Sequence, residues 1–186
     1  MKKLLRLNLF VLLAAMLVSC AGNAPESAQK ILQPGDKFGS MSVEEHITDA
    51  KYASFGYYCS GYQWGEKVPG SKTSDCTIPR YPRIQVDIGW DAKDVATLEA
   101  NWDAMTWELY IDGYQVNLDK FGQWSEIPSR AEYKNGRGWV IDLVDTPPGQ
   151  HTLRLLWRSE KAIDDGFDIY APGTYESNVN FTIQDK

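Results

Sequence analysis

Few residues of this chain have a type and spacing suited to acid–base or nucleophilic chemistry. There are two histidines, His46 and His151, among 25 acidic residues. No Gly-x-Ser-x-Gly motif surrounds a serine, so the turn that exposes a hydrolase nucleophile is missing. The run Glu44-Glu45-His46 lacks the second histidine of a zinc-protease motif. We therefore interpret both histidines as surface or hydrogen-bonded structural residues and predict no catalytic group.

Two acidic clusters have the oxygen ligands that Ca²⁺ prefers, which number six to eight in a site. One consists of Asp87, Asp91 and Asp94, and the other of Asp164, Asp165 and Asp168. Neither follows the EF-hand order, and the alternative is a pair of solvated turns and a helix cap. The second cluster lies in a loop that also offers backbone carbonyls, so it is the calcium candidate; otherwise no cofactor is predicted.

Aromatic residues gather between positions 55 and 64, the last of them in a glycine-rich stretch. Aromatic side chains on loops stack on sugars and anchor protein partners. Tyr62 and Trp64 are the candidate ligand-binding residues, because burial is least assured in that stretch. The alternative, favoured for Phe55 and Tyr57, is that the aromatic side chains cover an edge of the fold.

The three cysteines indicate an oxidising compartment. Cys20 follows an apolar segment, which leaves Cys59 and Cys76 as a pair. A disulfide between these two would close a loop of about 17 residues and stabilise the fold by about 3 kcal/mol. Two free thiols or a metal pair are the alternatives, but a metal site needs further Cys or His residues nearby.

The N-terminal segment has the features of a signal peptide. It begins with Lys2, Lys3 and Arg6 and continues with an apolar run from Leu9 to Val18. That run is about half the length that spans a bilayer. The four residues Leu17-Val18-Ser19-Cys20 resemble the lipobox of bacterial lipoproteins at every position.

The lipobox resemblance implies cleavage before Cys20, diacylglyceryl transfer to its sulfur and acylation of its new amino group. Several acyl chains give stable anchoring on the extracytoplasmic side of a membrane. The alternative is a plain secretory signal with an incidental cysteine. The predicted organisation is a signal peptide over residues 1–19, a polar flexible tether over 20–30, and one domain over 31–186.

The mature chain would be acidic. Residues 1–19 carry three basic and no acidic side chains, which leaves 16 Lys and Arg against 25 Asp and Glu, a net charge of −9. This charge argues against nucleic acid as a partner and against electrostatic adhesion to anionic lipid. Seven Trp, ten Tyr and six Phe are enough aromatic residues for a substantial core.

Period-two alternation of apolar residues predicts most of the domain to be strand. The clearest case is the segment 83–90, where Ile84, Val86, Ile88 and Trp90 share a face. Asp91 or Asp94 can cap a short helix near 93–103, and Asp112-Gly113 predicts a two-residue hairpin. Other strands are predicted near 38–46, 52–58, 105–111, 114–118, 139–143, 153–157 and 175–183, with a long surface excursion over 119–136.

About eight strands, short turns and one short helix predict a mainly β, antiparallel β-sandwich. The segment from Pro147 to Leu153 resembles the turn into a late strand of immunoglobulin-like and fibronectin-type sandwiches. Those families often have Tyr at the position of His151. The order Pro34-Gly35-Asp36, then Trp107 to Gly113, then Asp165-Gly166-Phe167 is also similar to uncharacterised secreted β-domains of bacterial lipoproteins.

These features together predict a lipid-anchored extracytoplasmic binding module without enzymatic activity. Its partners would be the membrane, through the lipid on Cys20, and an unidentified protein or glycan. The alternatives are a carbohydrate-binding module that uses Tyr62 and Trp64, a hydrolase of the cell envelope, and a structural envelope protein. A hydrolase would need an acid pair or a His-Asp pair converging in a cleft.

Overall fold

Alternating apolar residues place most of this chain in β-strands. A computed structural model describes residues 30–48, 50–62, 66–126 and 135–185. The predicted signal peptide, Cys20 and nearly all of the predicted tether lie outside the described residues, as does Trp64. None of the helices in the described part is long and apolar enough to cross a bilayer.

The described chain contains thirteen strands and two α-helices. The strands are β1 (Lys37–Phe38), β2 (Met41–Glu45), β3 (Ala53–Ser54), β4 (Gly70–Ile78), β5 (Arg83–Ala92), β6 (Met105–Ile111), β7 (Tyr114–Val116), β8 (Gln123–Glu126), β9 (Asn135–Val144), β10 (Gly149–Ser159), β11 (Ile163–Asp164), β12 (Ile169–Tyr170) and β13 (Gly173–Ile183). The helices are α1 (Phe55–Tyr58) and α2 (Val95–Trp102), and single 3₁₀ turns span Ser60–Tyr62 and Leu118–Lys120.

The strands form two main sheets. The larger has the order β1-β2-β9-β5-β3, with β8 also paired to β9. The smaller has the order β4-β13-β10-β6-β7, and β11 with β12 makes a separate two-stranded ribbon. The mainly β prediction is therefore confirmed.

The expectation of a purely antiparallel fold is wrong at two places. β3 pairs with β5 in parallel, and β4 pairs with β13 in parallel over nine residues, from Gly70 opposite Tyr175 to Ile78 opposite Ile183. Parallel neighbours need a long connection between them. The connection from β3 to β5 passes through β4 of the other sheet, and the one from β4 to β13 contains strands of both sheets. Both sheets are consequently mixed.

The two sheets share one hydrophobic core. The predicted alternation in β5 is confirmed, since Ile84, Val86 and Ile88 are all buried. Across the core, the rings of Trp90 on β5 and Trp157 on β10 lie 5.2 Å apart in an edge contact. Such aromatic pairs add to the free energy gained from the buried area.

Two local predictions are confirmed where helix and turn chemistry decides the structure. The carboxylate of Asp94 accepts a hydrogen bond from the backbone N–H of Thr97 at 2.8 Å and so caps α2. Asp112 and Gly113 have φ of 47° and 80°, the positive values that a type I′ hairpin between β6 and β7 requires.

The segment 52–58, expected as a strand, is strand only at β3 and then turns into α1, so there are two α-helices rather than one. Phe55 at the start of α1 is fully buried and meets the ring of Phe181 at 5.3 Å. Tyr57 on the same helix is 80% exposed. The single turn of α1 packs between β3 and β4, and Phe55 is the side chain that anchors it in the core.

Three glycines, Gly89, Gly136 and Gly138, allow close contact between β5 and β9. The indole ring of Trp124 packs on the backbone of Gly89 and Gly136. Gly89 is opposite Gly138 in the register of the two strands. A Cβ on Gly138 would lie 2.0 Å from the carbonyl oxygen of Ile88, and one on Gly136 would lie 2.9 Å from the Trp124 ring. Only glycine fits these positions.

We expect Gly138→Ala to lower the free energy of unfolding by about 1–3 kcal/mol, because the added methyl group must push the strands apart. Chemical denaturation followed by tryptophan fluorescence measures this. The matched control is Gly122→Ala, where a Cβ would meet only Glu45 at 3.5 Å; its change should stay within about 0.5 kcal/mol. Equal stabilities of the two variants would contradict the close-packing account.

Candidate functional site

The strands end in two groups of connections, which we call the loop end and the turn end. The loop end comprises residues 66–69, 93–104 and 160–172. It is held together by backbone hydrogen bonds, from Lys93 N to Asp165 O at 2.8 Å and from Ala171 N to Lys67 O at 3.0 Å. The turn end comprises residues 33–36, 79–82, 112–113 and 145–148.

The loop end is braced by a buried tyrosine. The hydroxyl of Tyr175 donates to the carbonyl oxygen of Ala171, four residues upstream, at 2.6 Å, and lies 3.2 Å from Lys67 O. Lys67 also forms an ion pair with Asp168. Loops fixed this way hold their outward side chains in place.

Four large apolar side chains are exposed at the loop end. Val95 lies on α2, and the other three project from the loops 66–69 and 160–172. Val68 is 62% exposed, Phe167 is 52% exposed and Ile169 is 62% exposed. Exposed apolar side chains are common when scattered singly, but a group on adjoining loops marks an interaction surface. The tips of the loop end are therefore the candidate functional site.

The candidate aromatic residues lie in a segment that leads into the same loops. The backbone of Tyr62 closes the 3₁₀ turn Ser60–Tyr62, and the described chain resumes at Glu66. The Tyr62 side chain and the whole of Trp64 lie outside the described residues. Their role as ligand-binding residues stays a prediction.

The calcium candidate forms a hydrogen-bonded turn between β11 and β12. Asp164 accepts from Gly166 N at 2.8 Å, and one oxygen of Asp165 accepts from both Phe167 N and Asp168 N at 2.7 Å. Over the described ranges, no three His, Cys, Asp or Glu side chains are grouped to hold a metal ion. The carboxylates here shape the loop that presents Phe167, and calcium binding stays a prediction that a melting-temperature shift with calcium would test.

The other acidic cluster does not converge. Asp94 caps α2, while Asp87 points from the outer face of the larger sheet and accepts from Gln85 Nε2 at 2.9 Å.

Near the loop end, burial raises the pKa of Tyr170 to about 12, with the charges of Asp165 and Asp168 as smaller causes. The Tyr170 phenol therefore stays neutral where it packs between Trp90 and Trp157.

An open groove of about 600 Å³ runs between α2 and residues 161–166. Its wall is made of small side chains, among them Ala96, Ala100 and Ala162, with Lys93 and Lys161 also lining it. The Asn101 amide at its floor donates to Asp164 O at 2.9 Å. This groove adjoins the exposed apolar tips and widens the surface that the loop end offers.

The predicted disulfide between Cys59 and Cys76 is confirmed. Their Cα atoms lie 5.3 Å apart, and Cys59 is 2% exposed. Cys76 belongs to β4, in register with Phe181 of β13. The bridge joins the end of α1 to an edge strand, next to the core.

Both histidines are hydrogen-bonded. His46 Nδ1 lies 3.0 Å from a carboxylate oxygen of Asp142, whose other oxygen accepts from Arg83 at 3.0 Å. Since the carboxylate only accepts, the proton of this contact sits on Nδ1 of the ring. Asp142 is fully buried on the outer face of β9.

The His46–Asp142 pair is the His-Asp arrangement that a hydrolase would need. His46 lines neither the groove along α2 nor the shallow groove between Arg80 and Pro147 at the turn end. Sequence reasoning grouped His46 with its neighbours Glu44 and Glu45 and missed Asp142. The available signal was one carboxylate inside the apolar run from Val140 to Val144.

The second histidine fixes the turn end. His151 Nε2 lies 2.9 Å from Pro147 O, four residues upstream, and its Nδ1 lies 2.8 Å from Asp112. The ring stacks on Phe181 at 5.3 Å. Its contacts are structural, and they tie the turn before β10 to the hairpin of β6 and β7.

Asp87, which lies near His46 and Asp142, gives a prediction about the pH dependence of stability. Burial raises the pKa of Asp87, so ionising its carboxylate costs stability in the folded state only. This penalty is fully present above the raised pKa and absent below the unfolded value of 3.8. Asp87→Asn, which keeps the oxygen that accepts from Gln85, should raise the melting temperature at pH 7.

Thermal unfolding of both proteins from pH 7 down to pH 3.5 tests this. The gain from Asp87→Asn should shrink as the pH falls. The control is Asp119→Asn at an exposed carboxylate, where we expect no change. A lower melting temperature for Asp87→Asn at pH 7 would show that the charge of Asp87 is stabilising.

Comparison with known proteins adds no functional argument. No protein-family model matches the chain, and no curated protein matches it. Among solved structures, the chain is similar to PbICP-C, solved in complex with falcipain-2, at 12% identity and a TM-score of 0.33, over 73% of this chain and 100% of that one. It is also similar to Amebosin, at 13% identity and a TM-score of 0.28, over 64% of this chain and 100% of the other. Similarity at this level carries no argument about function, so the function must be inferred from the residues and geometry of this chain.

Proposed function

We propose that this protein is a bacterial lipoprotein whose single domain is an immunoglobulin-like β-sandwich that binds a partner without catalysis. The proposal places the lipid on Cys20 and the protein in the cell envelope, on the extracytoplasmic side of a membrane. The lipobox supports the anchor, and the disulfide fits an oxidising compartment. The fold assignment is supported by two sheets around one core and by Tyr175, whose hydroxyl bonds to a carbonyl four residues upstream, as in a tyrosine corner.

The point where the tether joins the domain supports an orientation. Leu32 forms a parallel bridge with Val116, so Lys30 lies level with the start of β7. The Lys30 ammonium also pairs with Asp36 at 2.8 Å, in the turn before β1. Both contacts put the entry of the chain at the turn end, and the loop end then points away from the anchor.

The single observation that carries the binding function is the group of exposed apolar tips on braced loops at that far end. Val68, Phe167 and Ile169 are each more than half exposed. An apolar surface at the outer end of a tethered domain is placed to meet a partner in the surrounding compartment. A protein partner fits this surface, since apolar centres with polar rims dominate protein interfaces.

Cross-linking in intact cells tests the proposal. We expect the full-length protein to give discrete cross-linked species that disappear in a Phe167→Ser, Ile169→Ser variant. The matched control is Ile31→Ser, Ile47→Ser, which changes two isoleucines that are about as exposed, at 54% and 50%. Species that persist in the loop-end variant, or that vanish equally in the control, would contradict a binding site at the loop end.

Carbohydrate binding is the second candidate, because Trp64 lies in the segment that leads into the loop end. A glycan array with the mature protein, and with Trp64→Ala as control, distinguishes it from protein binding. Glycan signals lost on this substitution would assign the site to a sugar, since aromatic rings stack on sugar faces. A blank array would remove the carbohydrate alternative and leave the protein partner.

A further inference from the structure

A corner beside the turn end is rich in tyrosine and cationic side chains. It consists of Arg80 and Tyr81 of the turn end and of the neighbouring Lys51, Tyr57 and Tyr58. We propose that this corner lies against the headgroups of the membrane that holds the lipid anchor, and that it contacts anionic phospholipid. The inference rests on the proposed lipid anchor and adds to it a second, non-covalent contact that sets the domain's orientation.

The tyrosines of this corner form a connected surface. The rings of Tyr57 and Tyr58 meet edge-on at 5.0 Å, and a hydrogen bond with Tyr81 is the main cause that raises the pKa of Tyr58. Lys51 places its ammonium 5.9 Å from the centre of the Tyr81 ring. Tyr57 is the outermost of these residues, at 80% exposure.

The cations of the corner have no competing partner in the described part of the chain. Lys51 and Arg80 are exposed, and neither forms an ion pair with any residue of the described ranges. Asp145 is a carboxylate that lines the same shallow groove as Arg80 and Tyr81. In a chain whose mature net charge is −9, this corner is suited to face a negative surface.

The entry point of the tether lies nearer to the turn end than to the loop end. Residues 20–29 are ten residues, which span at most about 35 Å when fully extended. Lys30 lies level with Tyr114, which the strand register places opposite Ile111 and Leu153. About six residues of β10, or about 20 Å, separate that level from the loop end, and about four residues separate it from the turn end. The entry point therefore favours contact through the turn end.

Tyrosine and lysine or arginine are the side chains that settle at a membrane–water interface. Tyrosine combines an apolar ring with a hydroxyl group that stays hydrated, so its side chain lies at the level of the lipid headgroups. Lys and Arg are attracted to anionic headgroups within a Debye length of the surface. The negative net charge repels the rest of the domain from the same surface, which favours contact through this corner alone.

Lysine footprinting on the lipidated protein in vesicles tests the orientation. An amine-reactive reagent would be applied to the protein in phosphatidylglycerol-containing vesicles and to the Cys20→Ser protein mixed with the same vesicles. We expect labelling of Lys51 to fall at least threefold in the anchored protein. Labelling of Lys93 and Lys161, both exposed at the loop end, should be unchanged. Vesicles of phosphatidylcholine alone should give weaker protection of Lys51.

Variants and flotation separate the outcomes. Tyr57→Ser with Arg80→Ser should restore Lys51 labelling in anionic vesicles, while the loop-end pair Val68→Ser, Phe167→Ser should not. Equal labelling of Lys51 and Lys93, or protection of Lys93 and Lys161 instead, would overturn the proposed contact. Failure of the wild-type protein to float with vesicles would instead contradict the lipid anchor, so the two claims fail in different ways.

Discussion

Replacing Trp157 with alanine is expected to lower the free energy of unfolding by about 3–5 kcal/mol, one of the two largest effects we predict. Trp157 is 4% exposed and lies at the centre of the aromatic core. Its ring stacks on Tyr175 with centroids 3.8 Å apart, and it meets Trp90 of the other sheet. Alanine would remove these contacts and leave a cavity that the neighbouring indoles cannot fill.

The loss should extend to the loop end, because Tyr175 braces Lys67 and Ala171. Urea denaturation gives the global effect, and near-ultraviolet circular dichroism reports the aromatic packing. Tyr57→Ala, which removes an exposed ring, is the control and should change stability by less than about 0.5 kcal/mol. If Trp157→Ala were as mild as Tyr57→Ala, the two sheets would not depend on this stack.

Removing the disulfide by Cys59→Ala with Cys76→Ala is expected to cost about 3 kcal/mol. The bridge closes a loop of 17 residues in sequence separation, and its loss frees the unfolded chain. It also removes the covalent link between α1 and β4, which is an edge strand paired with β13 in parallel. Parallel edge strands are among the less stable pairings, so β4 should be the first element to open.

Guanidinium denaturation measures this, and hydrogen exchange locates the opening. Reducing the wild-type protein with dithiothreitol should give the same loss, while the double variant should not respond to dithiothreitol. Amides of β4 should lose protection before those of β10, which lies in the middle of the same sheet. Uniform exchange across both strands would contradict a local role for the bridge.

Sequence patterns predicted the parts of the fold in which local chemistry decides. In β5, alternation from Ile84 to Trp90 is visible because one face meets the core and the other does not. The hairpin at Asp112-Gly113 and the Asp94 cap are equally local, since a φ requirement or a single side-chain acceptor specifies them. The strands predicted near 105–111, 139–143, 153–157 and 175–183 also agree in position with the structure.

The elements that sequence reasoning missed depend on distant partners. Along β4 only Ile78 is buried, and the sequence of this segment has no apolar alternation, so it was not predicted as a strand. Its strand conformation comes from pairing with β13, about a hundred residues later. β8 lies in the stretch expected as a surface excursion, and it is held by pairing with β9 and by the glycines under Trp124.

The features of the candidate site also fall into those that the sequence predicted and those that depend on distant partners. The cysteine pair was predictable from parity, and the structure confirms the bridge. The apolar tips Val68, Phe167 and Ile169 were not singled out, because they come from loops a hundred residues apart that meet only when Ala171 bonds to Lys67. The partner of His46, Asp142, was missed for the same reason, since 96 residues separate them.

The central claim is that Cys20 anchors a binding domain at the membrane, and intact mass spectrometry of the mature protein from cells tests it most directly. The account predicts a polypeptide that begins at Cys20 and carries a diacylglyceryl group with an added amide-linked acyl chain. It also predicts that Cys20→Ser abolishes this processing and releases the protein from the membrane fraction. An unacylated chain, or one cleaved at another residue, would contradict the account.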